Sequence, residues 1–306
     1  MADNEYGKKL GLIGTITYDV ITSDSGSSYE GIGGVLYQAA VLCGLGKHVS
    51  LYTNLGGELV SDFRKTVEKW SNFSWRGIQH VPGPGNRVYL HYPERGERIE
   101  VLKSVVPPLN PDQLVEDLPQ QRMLILIINS GFDIELTDWR SIASTASCPM
   151  WIDIHSLPLA RKLDAPREYT FLKEWREWAE GVDYLQANRK EVASMLGHPE
   201  RLPLDPELNS FGIMAFNIGV KMVFITLGKE GGLVMTPKVS RRIAPPRVKN
   251  LVDTTGCGDV FCAATVAKLV DGADAFEAAS FGLNLATKAV SLKGVEETYA
   301  LATKER

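Results

Sequence analysis

The stretch Leu124-Ile-Leu-Ile-Ile128 consists of five consecutive aliphatic residues. An unbroken apolar run of this length predicts a β-strand that is buried on both faces. Similar short apolar runs, each predicted to be a strand, occur on either side of it, at 10–16, 49–53, 151–154, 184–186 and 223–226. Helical patterns lie between them and after them, at 34–45, 62–70, 260–270 and 273–292. This alternation indicates an α/β fold whose central sheet is mostly parallel and covered by helices.

One region interrupts the alternation and has the pattern of a hairpin. Residues 86–92 and 97–102 are rich in β-formers, and Pro93-Glu-Arg-Gly96 lies between them as a turn. Together with 17–22 they predict a small β-sheet that projects from the main body as a lid, formed by about 15–32 and 85–102. We therefore expect a single domain over 1–306 that carries this lid.

Composition excludes several classes of protein. The 306 residues are 44% apolar and 23% charged, with 33 basic and 37 acidic side chains, which argues against nucleic acid as a partner. The four cysteines form no Cys-x-x-Cys pair, and a disulfide framework is not expected in so long a chain. The longest aliphatic run, 123–128, is far shorter than the ~20 residues that span a bilayer. We expect no membrane partner and a cytoplasmic location.

The segment with the strongest chemical signal is Asp253-Thr-Thr-Gly-Cys-Gly-Asp259, which opens directly into the helical pattern at 260–270. Glycines let backbone N–H groups approach an anion closely, and the helix dipole favours negative charge at the same point. Asp259 at this turn can accept the proton of an attacking hydroxyl. The segment is also compatible with a plain helix entry, because an acidic residue is favourable in any first helical turn.

This loop resembles the C-terminal signature of the ribokinase-like PfkB carbohydrate kinases, which has the form Asp-Thr-x-Gly-x-Gly-Asp. The resemblance implies a three-layer α/β/α fold and transfer of the γ-phosphoryl group of ATP, with Asp259 as the catalytic base. The backbone amides of Gly256, Cys257 and Gly258 are then expected to stabilise the charge on the transferred group. The family usually has alanine where this chain has Cys257, and a small side chain there leaves the amides accessible.

Several residues match the family's acceptor site. The segment from Gly33-Gly34 to Gly46 resembles the N-terminal signature, with Gln38 where relatives usually carry an asparagine that holds sugar hydroxyls. Asp19 matches the aspartate that binds the substrate in this family. A carboxylate suits this role because it can accept hydrogen bonds from two hydroxyls at once. Taken alone, an aspartate at this position is also a common turn residue. Arg87 in the lid and Asn129 at the end of the 124–128 strand are further candidates for contact with substrate.

The expected metal site rests on Asn188-Arg-Lys-Glu191, which resembles the family's Asn-x-x-Glu motif. Glu191 is expected to hold Mg²⁺ through a water molecule. The same spacing also fits a helix N-cap with its capping partner. Asp253 and Thr255 lie where many relatives bind K⁺.

The expected nucleotide site includes Thr226, Gly228 and Gly231 in the segment Thr-Leu-Gly-Lys-Glu-Gly, which resembles the family's turn at the ATP phosphates. The segment is equally good hairpin chemistry between two apolar strands. Asn284 falls where the family's closing helices flank the adenine.

Together these motifs predict an ATP-dependent kinase that acts on a hydroxyl of a small carbohydrate by direct in-line transfer. The alternatives are a nucleoside kinase, with Tyr89, His91 or Tyr92 as stacking surfaces, and a kinase for a pyrimidine alcohol. A protein of another class, a catalytically silent scaffold or regulator with this fold, remains open as well. The resemblance further allows a homodimer formed through the lid.

Overall fold

A computed structural model describes residues 8–96, 98–246 and 256–306, and in these ranges strands and helices alternate along most of the chain. The strands are β1 (Lys9–Ile13), β2 (Ile16–Ser23), β3 (Ser28–Gly34), β4 (Val49–Gly56), β5 (Phe73–Ser74), β6 (Ile78–Val81), β7 (Asn86–Tyr92), β8 (Ile99–Ser104), β9 (Gln121–Ile127), β10 (Met150–Asp153), β11 (Tyr184–Asn188), β12 (Met222–Thr226), β13 (Gly232–Met235) and β14 (Ser240–Ile243). The α-helices are α1 (Leu36–Gly44), α2 (Val60–Val67), α3 (Asp112–Asp117), α4 (Leu136–Thr145), α5 (Trp175–Ala179), α6 (Arg189–Met195), α7 (Asp205–Asn217), α8 (Cys257–Val270), α9 (Ala275–Ala289) and α10 (Gly294–Lys304).

The larger of the two sheets has the strand order β14-β13-β12-β11-β10-β9-β1-β4-β5, and β6 also pairs with β4. All neighbours from β12 to β5 run parallel, whereas β13 and β14 continue the sheet antiparallel. The predicted, mostly parallel central sheet is therefore confirmed. Its parallel strands place their carboxyl ends along one edge, where ligands bind in open α/β sheets.

Helices cover both faces of this sheet. In β9, Ile125 and Ile127 pack into one core with side chains of α1, α2, α8, α9 and α10. Leu124 and Leu126 point to the opposite face and pack with side chains of α3 to α7. The alternation follows from the period of two in a strand, and it confirms the three-layer arrangement. Among the described residues, none of the helices combines the length and the apolar character that crossing a membrane requires.

One predicted strand is interrupted, and one helix was not predicted. The predicted strand at 10–16 is broken between β1 and β2, where the N–H and hydroxyl of Thr15 both donate to Oδ1 of Asp133, at 3.0 and 2.8 Å. These bonds turn the chain out of the large sheet. The predicted helix at 273–292 is present as α9, whereas α10 was not predicted; it begins at Gly294, whose φ of 73° favours glycine.

The small sheet has the strand order β3-β2-β7-β8. The predicted hairpin is present as the antiparallel pair of β7 and β8, and β2 joins β7 in parallel register. β3 was not predicted as a strand; it pairs antiparallel with β2 and fills the remainder of the expected lid region. On the far side of β8, the backbone N–H groups of Asp164 and Arg167 donate to Leu102 and Glu100, both at 2.9 Å. This edge of the small sheet is therefore covered by the chain's own loop.

Candidate active site

The N-terminus of α8 is the centre of the candidate site. Gly256 caps the helix with a φ of 76°, a left-handed conformation that favours glycine. A Cβ at this position would also lie 3.1 Å from the ring of Tyr37. Asp259 lies in the first turn of the helix and is only 5% exposed. The first turn therefore places the positive end of the helix dipole beside a buried carboxylate. Asp253 and Thr255, the predicted K⁺ ligands, lie outside the described residues.

A small polar cavity of about 50 Å³, here called the inner cavity, lies between the small sheet and α8. It is lined by Asp19 on β2, by Gly34, by Asn129 just after β9, and by Gly256 and Asp259. The fold therefore brings residues from four separate segments to one place, as the sequence motifs predicted. The Oδ1 atom of Asn129 is buried without a hydrogen-bond partner, so it is available to a ligand hydroxyl.

Asp19 is held in a tight and poorly hydrated position. A Cβ on Gly33 would lie 2.1 Å from Oδ2 of Asp19, so the glycine makes room for the carboxylate. Burial raises the pKa of Asp19 to about 7, and the negative charges of Asp259 and Glu100 add to this rise, while Thr17 and Arg98 oppose it. Hydrogen bonds donated by ligand hydroxyl groups would stabilise the ionised form of such a carboxylate.

A second cavity of about 160 Å³, the channel, continues from the inner cavity along the carboxyl edge of the large sheet. Both cavities share Arg98, His155, Gly256 and Asp259 as lining residues. The channel also passes Asp153, Gln186, Asn188, Glu191 and Thr226, which lie at the carboxyl ends of β10, β11 and β12 or at the start of α6. Asp259 therefore lies where the two spaces meet.

A larger space of about 890 Å³, the outer cleft, opens beyond the channel. The two share Arg98, Asn188 and Thr226 among their lining residues. Gly228 also lines the cleft, in a short 3₁₀ turn between β12 and β13, and both Gly228 and Gly231 have positive φ angles of 57° and 89°. The segment is thus a hairpin turn, and its first residues face the cleft.

Buried carboxylates accumulate along the channel. Glu191 accepts from the backbone N–H of Asn188 at 2.7 Å and from its side-chain amide, while the N–H of Glu191 donates to Oδ1 of Asn188 at 2.9 Å. This is the capping box that the sequence allowed as an alternative. Burial raises the pKa of Glu191 to about 8. Burial, together with the charges of Glu191 and Asp259, also raises the pKa of Asp153 well above its ordinary value.

Two carboxylates in one small space are a donor set that suits a hard divalent cation. Glu191 and Asp153 both line the channel, and burial raises the pKa of both, so a cation near them would favour their ionised forms. In the described ranges no three histidine, cysteine, aspartate or glutamate side chains are grouped to hold a metal ion by themselves. Mg²⁺ fits such a pair, because it keeps several waters and uses substrate phosphates as further ligands.

Three residues that were predicted to contact a ligand through their side chains do not line these cavities. The guanidinium of Arg87 bonds Glu58 at 3.0 Å and lies over the ring of Tyr18, away from the three cavities. Asn284 is exposed on α9 and is not among their lining residues either. Gln38 is completely buried, and its amide donates to Oδ1 of Asp259.

Three residues that line the cavities were not predicted from the sequence. Arg98, at the start of β8, lines all three cavities. His155 follows β10 with a φ of 39°, which is uncommon for a residue with a side chain. Gln186 on β11 donates to Asp153 at 2.8 Å and to the carbonyl of Gly258 at 3.1 Å, and so ties the sheet to α8. For Gln186 and Asp153, the position at the carboxyl end of a parallel strand was a usable signal.

Comparisons with known proteins find similar kinases. A family model described as "pfkB family carbohydrate kinase" matches residues 151–300. A ribokinase of Arabidopsis thaliana is 28% identical over 121 residues, which is 39% of this chain and only 31% of that protein. A deoxyribokinase of Salmonella typhi is 22% identical over 270 residues, or 86% of this chain and 82% of that protein.

Solved structures share the fold over nearly the whole chain. The structure of Arabidopsis thaliana ribokinase complexed with ribose and ATP has a TM-score of 0.74 at 18% identity, and covers 97% of this chain and 98% of that one. Adenosine kinase from Sinorhizobium meliloti has a TM-score of 0.78 at 20% identity, with 98% and 99% covered. At these identities the likeness establishes the fold.

Proposed function

Because the chain belongs to the ribokinase-like PfkB family of carbohydrate kinases, we propose that it transfers the γ-phosphoryl group of ATP to a hydroxyl of a small sugar. The observation that carries this proposal is the series of three connected spaces with Asp259 at the junction of the first two. An acceptor in the inner cavity and a nucleotide in the outer cleft would meet at the N-terminus of α8. In-line transfer needs this end-to-end arrangement.

Asp259 is the proposed base. It takes the proton from the acceptor hydroxyl as the oxygen attacks the γ-phosphorus, and ADP leaves on the opposite side. The N–H groups at Gly256, Cys257 and Gly258, at the start of α8, lie at the position that favours negative charge. We propose that they stabilise the charge on the transferred group, as an oxyanion hole does.

We propose that the phosphate donor, ATP, binds in the outer cleft and that its Mg²⁺ binds in the channel. We assign the ATP phosphates to Asn188, Thr226, Gly228 and Gly231, at the turn that borders the outer cleft. Mg²⁺ would be held by Glu191 and Asp153, partly through water, and would supply charge neutralisation of the phosphates. The proposed K⁺ at Asp253 and Thr255 and the proposed adenine contact of Asn284 rest on the family resemblance alone.

The acceptor is proposed to be a small sugar because the inner cavity is small and its lining is rich in hydroxyl-binding groups. The aromatic side chains considered for a nucleoside lie elsewhere. Tyr89 is 44% exposed with Lys103 over its ring, and His91 is bonded to Asp24 at 3.0 Å. Tyr92 lines the outer cleft and not the inner cavity. The fold of adenosine kinase keeps a nucleoside acceptor as the alternative.

The small sheet is proposed to act as the lid over the acceptor, since Asp19 and Arg98 reach the cavities from it. Closure of such an element excludes water and suppresses hydrolysis of ATP. A homodimer formed through this sheet would have to pair at β3. The opposite edge, β8, is already covered by the loop at 164–167.

We expect the affinity for the acceptor to depend on the ionisation of Asp19. The ionised carboxylate accepts ligand hydroxyls, and its pKa in the free protein is about 7. Acceptor binding should therefore be full above this pH, and Kd should rise by about tenfold for each pH unit below it. Isothermal titration calorimetry without ATP measures this directly, because no turnover occurs.

The Asp19→Asn variant is the control for that titration. Its amide keeps the shape but does not ionise, so its Kd should be raised and nearly independent of pH from about two units below the Asp19 pKa of about 7 to about one unit above it. An unchanged pH dependence in this variant would show that another group controls acceptor binding.

The experiment that tests the proposed function is ADP release with Mg-ATP and K⁺ over a panel of sugars, nucleosides and pyrimidine alcohols. The Asp259→Asn variant is measured in parallel. Turnover of a sugar that depends on Asp259 is the expected result, whereas turnover of a nucleoside would establish the alternative. ATP binding without turnover on any acceptor would favour a catalytically silent protein and would overturn the kinase proposal.

A further inference from the structure

Gln38 makes a contact that its sequence motif did not predict. It lies in the first turn of α1, is completely buried, and donates from Nε2 to Oδ1 of Asp259. The bond joins two helices across 221 positions of the chain. Gln38 is not among the residues that line the inner cavity, although its neighbour Tyr37 is. The side chain therefore faces the proposed base and not the acceptor.

The direction of the bond follows from chemistry. An ionised carboxylate can only accept, so the amide must turn its NH₂ group towards Asp259. This orientation leaves Oε1 of Gln38 buried without a hydrogen-bond partner. A buried, unpaired oxygen is unfavourable, so the contact with Asp259 is what holds the amide in this orientation.

We propose that Gln38 is a positioning residue for the proposed phosphoryl transfer: it fixes one carboxylate oxygen of Asp259 and leaves the other to accept the proton of the acceptor hydroxyl. This inference rests on the proposed function of Asp259 as a base. It replaces the expectation that Gln38, like the asparagine of relatives, holds sugar hydroxyls. Glutamine is longer by one methylene, and this length lets the amide reach the carboxylate from α1.

The electrostatic surroundings make this donor important. Burial raises the pKa of Asp259, while the charge of His155, the hydrogen bond from Gln38 and the charge of Arg98 lower it. Further ionisable groups face the same carboxylate from β2, β10, α6 and α8 itself. They are Asp19, Asp153, Glu191 and Cys262. Among so many acidic neighbours, a donor fixed on Oδ1 favours the ionised form that a base requires.

The first test replaces Gln38 with methionine, which has the same length and no donor. In Gln38→Met, we expect kcat to fall by about 10- to 100-fold, while KM for both substrates stays within about threefold. The acid limb of the kcat profile should move up by about one pH unit, because one hydrogen bond to the charged form is lost. A raised acceptor KM with unchanged kcat would overturn the proposal and restore a substrate-binding role.

Gln38→Asn separates the two roles more sharply. Asparagine is the residue that relatives use at this position, but it is one methylene too short to make the same bond to Asp259. If Gln38 positions the base, Gln38→Asn should lose kcat as Gln38→Met does. A wild-type kcat in Gln38→Asn would overturn the proposal. Thermal unfolding and ATP binding of both variants identify any loss that comes from misfolding.

A measurement on the unmodified side chain is independent of turnover. The side-chain amide ¹⁵N resonance of Gln38 should titrate with the same midpoint as the carboxyl carbon of Asp259, and should stop titrating in Asp259→Asn. Independent titration of the two groups would overturn the coupling, even if the kinase assay succeeds. If wild-type turnover is absent while the two groups titrate together, the proposed reaction fails and the contact remains.

Discussion

Replacing Asp259 with asparagine should lower kcat by about 10³-fold, since general base catalysis contributes about 10²- to 10⁴-fold. Asparagine keeps the shape, and its Oδ1 can still accept from Gln38. It cannot take a proton from the acceptor hydroxyl at neutral pH. We therefore expect acceptor and ATP affinities within a few-fold of wild type. Steady-state kinetics and calorimetry separate the two effects.

The control for this variant addresses the plain helix-entry alternative. Asp138 also lies in the first turn of an α-helix, α4, and does not line any of the three cavities. If Asp259 only stabilises the start of α8, then Asp259→Asn and Asp138→Asn should each lower the free energy of unfolding by a similar small amount, about 0.3–1 kcal/mol. Both variants would then keep a normal kcat, and this result would exclude Asp259 as the catalytic base.

The sequence predicted the large sheet well because its strands are buried on both faces. Such strands are continuous apolar runs, as in 124–128, and they need no knowledge of neighbouring elements to be identified. The candidate site residues at the ends of these strands were assigned from their resemblance to family motifs. Asn188 and Thr226 close β11 and β12, and the parallel register brings them to one edge.

β3 was missed because its sequence disfavours a strand. It contains Gly31, Gly33 and Gly34, and glycine weakens strand propensity. The structure shows why two of these side chains are absent. A Cβ at Gly31 would lie 2.4 Å from the hydroxyl of Tyr29, and one at Gly33 would lie 2.1 Å from Asp19. These close approaches exist only in the folded protein, so local sequence cannot reveal them.

Which of two arginines in the hairpin faces the cavities also depends on tertiary structure. Arg87 lies on β7 and Arg98 lies just before β8 of the same hairpin, and Arg87 was the one predicted to contact substrate. In the structure Arg87 is paired with Glu58, whereas Arg98 reaches all three cavities. A slip of one residue in strand register moves a side chain to the other face, so the facing direction depends on pairing that composition does not specify.

Arg98 is a cationic residue that lines all three cavities of the candidate site. Its side chain is one-third exposed and bonds Glu100 at 3.1 Å, and Glu100 is held in turn by Arg167 at 2.8 Å. The positive charge of Arg98 lowers the pKa values of Asp19, Asp259 and Glu191, although burial of each carboxyl outweighs this effect. The guanidinium therefore acts at once on the residues proposed to bind the acceptor, to serve as base and to hold the metal ion.

In Arg98→Met, kcat should fall by about 10²- to 10³-fold, the loss typical for one donor that stabilises transition-state charge. Part of this loss comes from a raised pKa of Asp259 and should recover as the pH of the assay is increased, whereas the part due to missing contact with the phosphoryl group should remain at every pH. Arg87→Met, on the same hairpin, should keep a kcat near wild type. Full recovery of Arg98→Met at high pH would show that the arginine acts only through the carboxylates, because phosphoryl charge is present throughout that range.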